Sequence, residues 1–141
     1  MRYLGLDLGT TTLGIAISDK TNTLLSPLKL IKFKNGEYES ILDELSTIID
    51  ENHITDVVLG LPKNMDNTMG FAADRSLEFK KLLDNLDIRV HLEDERLTTV
   101  EAINILKNNG MKNINKKEKT DVLSAVLILE GYLRRIKNEE K

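Results

Sequence analysis

The chain has 141 residues, 40% hydrophobic and 30% charged, with a formal net charge of −3, a size and balance that fit one globular domain with a real core. It has no cysteine and only two histidines, His53 and His91, which excludes disulfides and thiolate metal sites and argues against a histidine-rich zinc site. No charged start leads into a long apolar run, so no signal peptide or membrane span is expected and the cytoplasm is the default compartment; the acidic balance does not advertise a nucleic-acid binder either.

The first element predicted is a pair of strands. Leu4 and Leu6 alternate with Gly5 and Asp7, and Leu13, Ile15 and Ile17 alternate with Gly14, Ala16 and Ser18, around a tight turn at Gly9-Thr10-Thr11-Thr12. Asp7 then ends a strand at a sheet edge, where a carboxylate is half buried yet within reach of a ligand. Gly9 leaves room for a phosphate or a metal to approach the backbone; the plainer alternative is an aspartate that merely starts a turn. Leu24-Leu25 and Leu28 to Phe33 read as a third strand, edged by Pro27. Tyr38 to Glu51 has helical spacing, with Ile41, Leu42, Leu45, Ile48 and Ile49 on one face.

Asp56 to Leu61 is a short apolar run closed by Pro62, as expected of a strand buried on both faces in a parallel sheet. Lys63 to Gly70 is a polar loop and Phe71 to Asn85 a second helix. A further strand, Ile88 to Leu92, runs straight into Glu93-Asp94-Glu95-Arg96. Thr98 and Glu101 have the spacing of a capping box, and Gly110 is a natural terminator for the helix they open. Met111 to Lys119 reads as a basic loop containing Lys116 and Lys117. The last helix, Thr120 to Lys137, is apolar over more than half its circumference and so should be largely covered. Asp121 falls in its first turn, where the helix dipole favours a carboxylate. Strands alternating with helices predict an α/β domain with a mixed sheet.

Asp7, Glu95 and Asp121 share one property: each is a carboxylate beside an apolar element that should pack in the core. If those elements adjoin, the three converge at one end of the sheet, where clustered carboxylates repel and resist ionisation. A hard divalent cation, Mg²⁺ or Mn²⁺, relieves that repulsion because it prefers oxygen ligands. Two such ions about 4 Å apart activate water and stabilise the leaving oxygen in phosphodiester hydrolysis.

Several stretches together carry a family resemblance: Asp7-Leu8-Gly9 with Gly14-Ile15-Ala16; Gly60-Leu61-Pro62-Lys63-Asn64-Met65-Asp66; Asp94-Glu95-Arg96-Leu97-Thr98-Thr99; and Asp121 with Ala125 to Leu129 and Gly131-Tyr132-Leu133. In that order they resemble the YqgF/RuvX family over nearly the whole chain. The resemblance implies a ribonuclease H-like fold related to Holliday-junction resolvases, with a five-stranded mixed sheet whose first three strands are antiparallel. It implies an endonuclease that matures the 5′ end of pre-16S ribosomal RNA, or one acting on branched DNA, as a monomer or homodimer. It also implies that Asp7, Glu95 and Asp121 occupy the acidic metal-binding positions. Asp94 is the fallback for the middle one, since strand neighbours point to opposite faces.

The match has one gap. The family usually carries a basic pair after its first Asp-x-Gly, and Thr11 and Thr12 stand there instead. Arg96, Lys63, Lys116 and Lys117 are the candidate substitutes for contacting nucleic acid. Two other classes stay open. One is a catalytically inactive domain that binds RNA or the ribosome. The other is an ATP-binding module, because Asp7-Leu8-Gly9-Thr10-Thr11 also resembles the first phosphate turn of the actin and Hsp70 ATPases.

Overall fold

The computed structural model describes residues 2–62, 70–94 and 116–139. Strand β1 (Tyr3–Leu8) and β2 (Thr12–Ser18) form the expected hairpin, with Leu4 opposite Ile17 and Asp7 opposite Gly14. The turn closes through the Gly9 N–H, which donates to the Thr12 carbonyl at 2.7 Å. Strand β3 (Leu25–Lys32) runs antiparallel to β2 and passes through Pro27, with an irregular register between Ile15 and Ala16. It is an edge strand, where a residue without an N–H donor is tolerated.

Helix α1 (Glu39–Glu51) follows, then β4 (Asp56–Leu61), α2 (Phe71–Leu83), β5 (Arg89–Asp94) and α3 (Lys116–Glu139). The strands lie in the order β3-β2-β1-β4-β5, and β4 and β5 run parallel to β1. All six residues of β4 are buried, as a continuous apolar run predicts for a central strand. This architecture is the five-stranded mixed sheet with flanking helices expected from the sequence.

Side-chain alternation sends the strands' apolar residues to two cores. Leu4, Leu6, Leu13, Ile15, Val57 and Leu59 pack against Ile41, Leu45, Phe79 and Leu83 of α1 and α2. Tyr3, Ala16 and Val58 pack against Ala125, Ile128, Leu129 and Leu133 of α3. Each fully buried Leu, Ile or Phe contributes roughly 1.5–3 kcal/mol of transfer free energy, so the sheet is clamped from both sides.

Two boundaries near the site differ from expectation. Helix α3 begins at Lys116, not at Thr120. Lys116 and Lys117 are therefore helical, not part of a basic loop, and Asp121 is the sixth residue of the helix rather than a first-turn residue. The reason is compositional: Lys-Lys-Glu-Lys-Thr contains no glycine or proline to stop a helix, so the helix extends beyond its apolar periodicity. At the other end, β5 runs through Glu93 and Asp94, because pairing with Gly60 and Leu61 of β4 continues the ladder past the apolar residues. The helix expected after Thr98, and most of the loop from Lys63 to Gly70, lie outside the described residues.

Candidate active site at the carboxyl end of the sheet

Asp7 is the next-to-last residue of β1 and is half buried. Register fixes which way it faces. Tyr3 and Gly5, four and two residues earlier, lie against α3, and a Cβ on Gly5 would stand 2.5 Å from the Ala125 carbonyl oxygen. Asp7 shares their parity and so belongs to the face that α3 covers. Its cross-strand neighbour on β2 is Gly14. On the other side, Leu6 pairs with Leu59, so the next row sets Asp7 beside Gly60. The carboxylate is thus flanked in its row by two residues without side chains.

The backbone of Asp121 belongs to the same end. Helix α3 meets β1 at Gly5 through Ala125 and Leu129, and Tyr132 lies farther down, 6.1 Å from the Tyr3 ring. The helix therefore descends along β1 from the Asp7 end, and Asp121 is one turn above Ala125, toward Asp7. Glu95, Arg96 and Lys63 lie outside the described residues, and Lys116, Lys117 and Asp121 are described by their backbone alone. Asp94 pairs with Leu61, which has the parity of Leu59 and the α1–α2 core; the fallback acid is on the opposite face from Asp7.

Sequence reasoning missed Glu93. It pairs with Gly60, so it occupies the row and face of Asp7, two strands away. That spacing is about 10 Å. Its Oε1 accepts a hydrogen bond from Arg135 at 2.6 Å, and its side chain is 14% exposed. Burial raises its pKa above the ordinary carboxylate range, while the Arg135 charge and hydrogen bond lower it and Asp94 raises it further. The available signal was the acidic string itself, but only β4–β5 pairing tells which of its members faces α3.

Below this row is a polar cluster that is structural. Asp56, 1% exposed, accepts hydrogen bonds from the Thr55 hydroxyl at 2.6 Å and pairs with His91 Nε2 at 2.8 Å. The His91 ring packs 4.9 Å from Tyr132. A cation also stands on the other side of Asp7: Lys32 of β3 pairs with Thr12, on the α3 face and beyond the Asp7 row.

For an oxygen-preferring divalent cation, Asp7 has suitable chemistry: a half-buried carboxylate with glycine neighbours, in a chain without cysteine thiolates. Among the described residues, no three acids or histidines form a ready-made metal cluster. No helix among them is long and apolar enough to cross a membrane.

Comparisons with known proteins agree with this architecture. The chain is 43% identical over 142 residues to a Ruminiclostridium cellulolyticum protein named "Putative pre-16S rRNA nuclease", covering 100% of this chain and 99% of that one. A Bacillus subtilis protein of the same name is 41% identical over 134 residues, covering 94% and 97%. Among solved structures, Thermus thermophilus RuvC matches with a TM-score of 0.59 at 16% identity, covering 96% of each chain. The fowlpox virus Holliday junction resolvase matches with a TM-score of 0.59 at 19% identity, covering 96% and 99%. The two structures establish a shared ribonuclease H-like fold. A family model described as "RuvX: Holliday junction resolvase" matches residues 1–135, and the chain belongs to that family.

Proposed function

We propose that this chain is a divalent-metal-dependent endonuclease that hydrolyses phosphodiester bonds in precursor RNA, with the 5′ end of pre-16S ribosomal RNA as its substrate. The observation that carries the reading is Asp7: a carboxylate on the α3 face, bracketed by Gly14 and Gly60, at the end of the sheet toward which α3 brings Asp121. Full-length relatives named as pre-16S rRNA nucleases support the substrate class.

Asp7, Glu95 and Asp121 would hold the metal. When bound, Mg²⁺ or Mn²⁺ supplies Lewis-acid polarisation of the phosphoryl group and neutralises developing charge. The chain contributes the rest. Asp7 is fixed by its β-ladder and so is oriented before substrate arrives, which reduces the entropy of reaching the reactive geometry. Gly14 and Gly60 put no side chain beside it in its row.

The experiment is a cleavage assay on a pre-16S RNA fragment and on a four-way DNA junction, each with Mg²⁺ and with Mn²⁺. Cleavage of the RNA by the natural chain and none by Asp7→Asn, with an unchanged melting temperature, is the expected outcome. Full activity of Asp7→Asn would reject the site. Preferential cutting of the junction would support the second reading, a DNA resolvase, which the family's description favours.

A further inference from the structure

We propose that Arg135 is a phosphate contact for a nucleic-acid strand, placed over Tyr132 and tempered by Glu93, on the face of the sheet that carries Asp7. This rests on the nuclease reading above and adds a residue that neither the family resemblance nor the motifs single out. Arg135 is near the end of α3 and its side chain is 51% exposed, yet two contacts fix it. Its Nη2 donates to Glu93 Oε1 at 2.6 Å, and its guanidinium carbon stands 5.4 Å from the centre of the Tyr132 ring. Tyr132 is itself wedged against His91 and Tyr3. A guanidinium stacked on an anchored ring has little rotamer freedom left to lose when it binds.

Glu93 occupies one of five N–H donors of the guanidinium, and among the described residues the others are left for an incoming anion. A cleft of about 470 Å³ lined by Leu61, Leu92, Glu93, Asp94 and Arg135 opens at this place, at the carboxyl ends of β4 and β5. Glu93 is level with Asp7 and Gly60 separates them, so no side chain from β4 divides the cleft from the Asp7 row. About 10 Å between the backbones of Asp7 and Glu93 in their shared row places Arg135 at a phosphate neighbouring the scissile one, not at the scissile one. An exposed ion pair adds little to stability, whereas a guanidinium makes a strong charge-assisted bond to phosphate. Phosphate and Glu93 then compete for the same cation, and Glu93 tempers the affinity.

The competition gives a test with opposite signs. Binding of a labelled single-stranded RNA and of a four-way DNA junction is measured by fluorescence anisotropy across a salt series. The measurements are made in Mg²⁺, in the Asp7→Asn background so that the strands stay intact. Arg135→Ala should bind severalfold more weakly, with the salt slope of log K reduced by about 0.7–1. Glu93→Gln should bind more tightly. In the double variant the gain from Glu93→Gln should vanish, because it acts through Arg135. Thermal melts of both single variants check the fold, and Arg135→Lys, which keeps the charge but loses the planar fork, should fall between. A purely structural pair predicts the same sign for both single variants. An unchanged affinity and salt slope for Arg135→Ala, or weaker binding by Glu93→Gln, overturns the proposal and leaves the nuclease reading standing. Failure of that reading shows separately, as absence of cleavage by the natural chain on both substrates.

Discussion

Individual side chains show where stability and ionisation are tuned. Ser76 on the inner face of α2 is fully buried, and its hydroxyl has no hydrogen-bond partner among the described residues. A buried polar group left unpaired costs about 1–3 kcal/mol. Ser76→Ala, which removes the hydroxyl and adds no volume, should therefore raise the melting temperature; a fall would show that the hydroxyl is paired. Glu93 gives a pH signature. Burial raises its pKa in the folded chain, so the folded state holds this proton to higher pH than the unfolded state does. Its contribution to stability accordingly falls as pH rises from the ordinary carboxylate range through the raised value. The melting temperature of the natural chain minus that of Glu93→Gln should decline across weakly acidic pH, and a flat difference would contradict the assignment.

At the level of elements, the contact between β1 and α3 is the tightest constraint on the site. A Cβ at Gly5 would stand 2.5 Å from the Ala125 carbonyl oxygen and 2.8 Å from the Leu129 Cβ. The first of these is backbone, which no rotamer change relieves. Gly5→Ala should push α3 away from the sheet and cost about 1–3 kcal/mol, the usual range for overpacking. Because α3 carries Asp121, cleavage should fall along with the denaturation midpoint. A Gly5→Ala chain with natural stability would mean that the helix is not seated as described. The edges are managed differently: β3 has Pro27 and a register irregularity, devices that discourage pairing with a second chain.

Across the whole molecule, one sheet separates two cores of unequal size. The larger one lies under α1 and α2, and among the described residues the smaller is covered by α3. A chain ending before Lys116 would expose Tyr3, Ala16 and Val58 to water. It should bind a hydrophobic dye and lose cooperative unfolding, as measured by fluorescence and by a urea melt; a sharp natural-like transition would show that α3 is dispensable.

The strands β1, β2 and β4, the helix α1 and the acidic character of Asp7 were all legible in the chain, because periodicities of 2 and 3.6 record directly which side chains are buried. The start of α3 was not, since Lys116 to Thr120 obey no apolar periodicity and only the absence of a stop signal extends the helix. Nor was the pairing of faces. Alternation says that Glu93 and Asp94 point opposite ways, but not which one faces α3; that is decided by the register of β5 on β4. The glycines beside Asp7 are likewise 7 and 53 residues away along the chain, and become its neighbours only through hydrogen bonds between strands. Local sequence determined the elements and the chemistry they carry. Tertiary structure decided which carboxylates and cations share one surface, because strand register is a long-range property that no local run of residues encodes.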